Sequence, residues 1–270
     1  MLSADETLQA IGSRIYCGAR LDQGGGHLHP LIYAHGLAAA AERAGAAIFE
    51  GSRVVAIEDA NSGVELRCDG GTVFARQAIL ATDAFSGELV PQLARYIGHI
   101  ESFVTATAPL PETLRRQILP GDEAVADTRH VLDYYRKSGD GRMLFAGREA
   151  YFGMPKDIAR LVRQRMLRVF PQLRDVETEY AWSGTVGITV TRMPHFGKLG
   201  KRLLFAHGWS GQGVALATLG GRLLAEAADG HNERFDVFAR VPARAFPGGS
   251  ILRKPLVAAG LLAFKMLDAV

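Results

Sequence analysis

The stretch LLFAHGWSGQGVALATLGGRLLAEAADG, Leu203 to Gly230, sets Gly208, Gly211 and Gly213 between an apolar run and a run of helix-forming residues. A strand that feeds such a turn and then a helix gathers unpaired backbone N–H groups and the positive end of the helix dipole at one point. An anion, or charge that develops during a reaction, is stabilised there. The spacing Gly208-x-x-Gly211-x-Gly213 is neither the dinucleotide pattern G-x-G-x-x-G nor a P-loop, since no Lys-Ser or Lys-Thr follows, and neither pattern occurs elsewhere in the chain. Spacing alone leaves two readings open: a ligand cradle, or a tight connection whose glycines permit close packing.

Other side chains able to do chemistry lie in HLHP (His27 to Pro30) and DYYR (Asp133 to Arg136). Tyr134 and Tyr135 are neighbours on an expected strand and face opposite sides, so at most one enters a pocket. Arg136 shares the face of Tyr134, and Tyr135 and Arg136 reach one pocket together only across a bulge. Arg192, in TVTRMPHFG, reads as a surface charge. Cys17 and Cys68 lack C-x-x-C or Cys/His spacing, which suggests neither a disulfide framework nor a metal site.

The elements that must position these groups follow from periodicity. PLIYAHGLAAAAERAGAAIFEG predicts a helix after Pro30 that ends near Gly45, then a short strand around Ala47 to Glu50, which is half of a parallel α/β unit. From Arg53 to Phe85, turns at Asn61-Ser62-Gly63 and Asp69-Gly70-Gly71 separate a meander of three short strands, whose last segment, AILAT (Ala78 to Thr82), has the apolar character of a buried strand. Beyond Tyr96 come a long strand, a short helix at ETLRRQIL, two strands joined at Ser138 to Gly141, an amphipathic helix in PKDIARLVRQRMLRVFPQL, and a strand at VETEYAWSG. These predict an inserted antiparallel sheet with a covering helix. The chain then returns to α/β style, so the first domain is discontinuous.

At 270 residues, 48% hydrophobic and 22% charged, the chain can bury a core and makes one or two domains. Its formal charge of +3 is spread without a polybasic block, which argues against a nucleic-acid partner. MLSADETLQAIGSR carries acidic residues where a signal peptide is basic, and PLVAAGLLAFKMLDAV is too short to span a bilayer. A cytoplasmic protein is expected.

GGGHLHPLIYAHGLAAAAERAGAAIFEGSRVVAIE, AILATDAF, GTVGITVTRMPHFGKLGKRLLFAHGWSGQGVALATLGGRLLAEAADG and FPGGSILRKP resemble, in that order, the D-amino-acid oxidase-type family of FAD-dependent oxidoreductases. The likeness is strongest to its gamma-glutamylputrescine oxidoreductase and glycine-oxidase-like branch. The resemblance implies an α/β (α+β) fold with a FAD/NAD(P)-binding-type domain over residues 1–95 and 184–270 and a substrate domain over 96–183. It implies FAD as cofactor, an amine or amino acid as substrate, and oxidation of a C–N bond. The turn then runs past the flavin ring, with donors from Gly208, Trp209, Ser210, Gly211, Gln212, Gly213 and Val214, although Trp209 serves equally as a core aromatic. Val54 and Val55 match the strand that meets the adenine part, and strand packing alone accounts for Val55. Ala81 and Thr82 match the turn near the diphosphate, where Asp83 replaces the usual glycine, and plain strand packing is the alternative for Val54, Ala81 and Thr82 too.

His29, just before the expected helix, stands at a wall of the implied active site, with a hydrogen-bonded structural histidine as the alternative. Tyr135 and Arg136 are further pocket candidates. Gly184, counted with the implied cofactor-binding residues, matches a glycine after which amino-acid oxidases of the family offer an arginine to the substrate carboxylate. Here Gly184-Thr185-Val186-Gly187 has none, which favours an amine or N-substituted amine. The family's opening βαβ unit with G-x-G-x-x-G has no counterpart, so the sequence resembles about the C-terminal two-thirds of a member. Flavin binding is then expected to need a missing N-terminal segment or a partner chain; the alternative is a noncatalytic remnant or interaction module that keeps the fold and relies on a partner chain to complete the nucleotide site.

Overall fold

A computed structural model describes residues 1–60, 62–129, 131–150, 155–249, 255, 259 and 260. Asn61 and Ser250 to Lys254 of the sequence motifs lie outside the described residues. Helix α1 (Ala4–Ile11) is closed at both ends by local chemistry. Ser3 Oγ accepts the Glu6 N–H at 3.3 Å, Glu6 Oε2 accepts the Ser3 N–H at 2.7 Å, and Gly12 ends the helix at φ 79°. Helix α2 (Pro30–Arg43) begins with proline at its first position and has no buried residue.

Strands β1 (Val54–Ala60), β2 (Gly63–Cys68) and β3 (Gly71–Ala75) make an antiparallel meander. Ala78–Leu80, β4, departs from the sequence reading by leaving that meander: it pairs in parallel with β11 (Leu203–His207), Leu203 opposite Ala78 and Phe205 opposite Leu80. Being an edge strand, β4 buries Leu80 but exposes Ile79. Ala47 to Glu50 forms no strand, because no described strand lies beside it to complete a ladder.

A short helix, α3 (Ser86–Leu89), precedes β5 (Gly98–Pro109), α4 (Glu112–Gln117), β6 (Val125–Ala126), β7 (Tyr134–Lys137) and β8 (Arg142–Ala150). Helix α5 (Ile158–Val169), β9 (Thr178–Ile188), β10 (His195–Leu199), α6 (Gly213–Ala228) and α7 (Glu233–Ala239) follow.

Two compact units result. Met1–Tyr33 and Glu101–Gly184 belong to the first, built on a five-stranded sheet ordered β6-β7-β8-β5-β9. Phe103, Met143 and Phe145 of that sheet pack on Val162, Met166 and Val169 of α5, the face set by its apolar periodicity. The resemblance groups all of residues 1–95 with the α/β part, but Met1–Tyr33 belong to this unit. They sit here because Ile11 enters its core and Ser13 Oγ donates to the Val169 carbonyl at 2.5 Å.

Ala34–Ile100 and Thr185–Ala259 belong to the second unit. Beside the β1-β2-β3 meander it holds a sheet ordered β10-β11-β4, whose centre strand, β11, is buried along its whole length. One face of that sheet packs Leu204 and Ala206 on Leu223 and Leu224 of α6 and Phe235 of α7, while Leu203 and Phe205 pack on Leu80, Val90 and Leu93. Burial on both faces is why LLFAH is a continuous apolar run. Register sets His195 opposite His207, with Nδ1 of the first 3.0 Å from Nε2 of the second.

Candidate functional site

The chain leaves β11 through a left-handed turn: Gly208 at φ 76°, Ser210 at 53° and Gly211 at 91°. A Cβ on Gly208 would strike the Thr189 side chain, whereas one on Gly211 would meet open space. The donors divide into two groups. Asp83 Oδ1 accepts the Gly208 N–H at 2.7 Å and the Trp209 N–H at 3.4 Å. Ser210 N–H donates to the Gly187 carbonyl at 2.9 Å, and Gln212 N–H to the Trp209 carbonyl at 3.0 Å. The N–H groups of Gly211, Gly213 and Val214 have no acceptor among the described residues.

Helix α6 starts at Gly213 with no side-chain cap and no acidic residue in its first turn. Its dipole and free donors therefore favour negative charge at this point. The Trp209 ring packs along α6, 3.7 Å from where a Cβ on Gly213 would stand and against Gly220, where a Cβ would collide with it, and lies edge-on to Phe196 with centroids 5.9 Å apart. Ser210 Oγ donates to the Gly208 carbonyl at 3.1 Å and accepts the Thr189 N–H at 3.3 Å, which braces the turn.

Val54, Ala81 and Thr82 come together. With Val55, Ile79 and Arg53 they line a groove of about 400 Å³ running from β1 to the C-terminal end of β4. Val55 is exposed, so plain strand packing does not account for it. Asp83, the residue after Thr82, joins the end of β4 to the glycine turn at the end of β11. Sequence reasoning missed this role; the one signal for it was an acid in place of the family's glycine.

The remaining candidates lie in the first unit. Tyr135 is a core residue: its ring stacks on Phe145 at 5.2 Å, meets Phe170 edge-on, and its hydroxyl donates to Tyr16 Oη at 2.8 Å. Burial, the largest cause, pushes its phenol pKa far up. Arg136 lies on the other face of β7, as strand alternation requires, and ties down HLHP: Nη2 donates to the Leu28 carbonyl at 3.1 Å, and Nη1 lies 3.5 Å from His27 Nδ1. His29 is exposed and its Nδ1 accepts the Ile32 N–H at 3.4 Å, a role at the entrance to α2. Gly184 is exposed, with open space where a Cβ would stand. Arg192 is exposed, with φ 62°.

Residues 1–227 match the family described as DAO, FAD dependent oxidoreductase. The chain belongs to that family. It is 39% identical over 270 residues to the gamma-glutamylputrescine oxidoreductase of Escherichia coli, covering 99% of this chain and 63% of that protein. It is 38% identical over 265 residues to the probable oxidoreductase OrdL of Haemophilus influenzae, covering 96% of this chain and 61% of the relative. The chain thus spans about three-fifths of these curated relatives. A solved glycine oxidase from Geobacillus kaustophilus superposes with a TM-score of 0.72 at 22% identity, over 84% of this chain and 62% of that one, and shows the shared fold.

The family's cofactor is FAD, and the residues present suit part of it. Free donors at an uncapped helix start, with open space at Gly211, suit the ring end, where negative charge gathers on reduction. No G-x-G-x-x-G is present to grip a diphosphate. Among the described residues no helix is long and apolar enough to cross a membrane.

Proposed function

We propose that this chain supplies the ring end of the flavin site and the substrate side of an FAD-dependent oxidoreductase acting on the C–N bond of an amine or amino acid. One observation carries the reading: the uncapped, donor-rich start of α6 stands at the C-terminal ends of parallel strands β4 and β11. Open α/β sheets bind their ligands at that end of the strands. A bound FAD would supply the acceptor for a hydride from the amine-bearing carbon, the substrate being left as a protonated imine that gives its proton to solvent.

The chain's residues align and enclose. Gly211, Gly213 and Val214 would hold the ring end by backbone N–H, with Val54, Ala81 and Thr82 along the adenosine and diphosphate side. Such a transfer from a neutral amine needs alignment more than a strong base. We assign the second unit to flavin binding and the first to substrate. An amine or N-substituted amine is favoured over a simple amino acid, since Gly184-Thr185-Val186-Gly187 offers no guanidinium and a 39% identical relative is named for gamma-glutamylputrescine.

A second reading adds a condition: a further segment or partner chain completes the site. Leu31, Ile32 and Leu37 of α2, then Ile48 and Phe49, are all exposed, and so is Ile79 on the edge strand β4. Apolar surface and an open strand edge of this kind are what an additional βαβ unit covers. The test is to purify the chain alone and with a co-expressed segment bearing G-x-G-x-x-G, and to read flavin absorbance. We expect flavin only in the second case, bleached anaerobically by an amine or N-substituted amine. Stoichiometric flavin in the chain alone would remove the condition, and bleaching by glycine but by no larger amine would overturn the substrate class.

A further inference from the structure

Asp83 takes a left-handed φ of 40°, a conformation disfavoured for a residue with a Cβ. The strain aims its carboxylate. Oδ1 accepts from Gly208 at 2.7 Å and from Trp209 at 3.4 Å, while Oδ2 lies 3.0 Å from where a Cβ on Gly187 would stand. The Gly187 carbonyl in turn accepts the Ser210 N–H at 2.9 Å. One half-buried side chain thus ties the end of β4 to the turn after β11 and consumes the first two donors of the glycine turn, while Ser210 of the same turn holds the end of β9.

We propose that Asp83 is a positioning residue for the flavin: it withholds the Gly208 and Trp209 donors, so that the cofactor's pyrimidine edge is confined to those of Gly211, Gly213 and Val214, and its charge holds the flavin's potential down. The proposal rests on the functional reading above. A carboxylate fixed beside a place where negative charge develops opposes that charge, while the free donors and the α6 dipole favour it. The potential is the balance of the two. A glycine here would free both donors and remove the opposing charge at once.

The experiment compares wild type, Asp83→Asn and Asp83→Gly in the flavin-loaded enzyme with the complete dinucleotide site, measuring midpoint potential and amide exchange at Gly208 and Trp209. Asp83→Asn keeps an acceptor oxygen without charge, so its potential rises while both amides stay protected. Asp83→Gly keeps the left-handed turn without strain; its potential rises too, and the two amides exchange about tenfold faster or more. Unchanged exchange in Asp83→Gly overturns the clamp, and a potential in Asp83→Asn equal to or below wild type overturns the electrostatic role. A wild-type enzyme that takes up no flavin defeats the functional reading and this proposal with it, an outcome the wild-type spectrum alone identifies.

Discussion

Gly208 and Gly211 meet the same backbone demand for different reasons. Both take left-handed φ, but only at Gly208 does the space for a Cβ collide with a neighbour, Thr189. Gly211→Val therefore pays the backbone penalty alone, about 1–2 kcal/mol. Gly208→Val adds overpacking of about 1–3 kcal/mol. Urea unfolding of the two variants checks this, and equal losses would refute it. The glycines were legible in the sequence because a turn between a strand and a helix needs them locally. Trp209 was not: whether its ring meets a ligand or Phe196 depends on residues far along the chain. Tyr135 likewise became a core residue through Phe145 and Phe170, which no local pattern names.

Helix α6 carries the site's charge preference, and that can be tested as a property of the element. Val214→Asp places an acid in the first turn, where it complements the dipole and stabilises the apo fold by about 0.3–1 kcal/mol. The same acid competes for the free donors and repels an anion, so flavin retention in the completed enzyme falls while thermal stability of the apo form rises. Stability and retention moving together would contradict the assignment. Elements with strong local signals appear where expected: α5 from its apolar face, β7 and β8 from the Ser138 to Gly141 turn. Local alternation does not select a strand's partner, which is why β4 left the meander for β11 and Ala47 to Glu50 paired with nothing described.

At the scale of the molecule, burial gives the fold a pH limit. It depresses His195 to about 4, and it depresses His207, with the His195 charge adding to the effect, to about 3, against an ordinary 6.5. The unfolded chain therefore takes up protons below about pH 6.5 that the folded chain refuses. Their contribution is fully present above that pH and is lost as pH falls through the folded values, at up to about 1.4 kcal/mol per pH unit per histidine. Urea midpoints at pH 7, 6 and 5 should fall steadily, with a shallower fall in His195→Asn; an unchanged slope in that variant sinks the assignment. The sequence by itself determined the α/β style, the inserted antiparallel sheet, the glycine turn and the family, because periodicity, turn chemistry and collinear motifs are local or additive along the chain. Only the tertiary structure decided which of the turn's donors remain free. The carboxylate that takes two of them comes from Asp83, more than a hundred residues earlier, and only the parallel pairing of β4 with β11 brings it there.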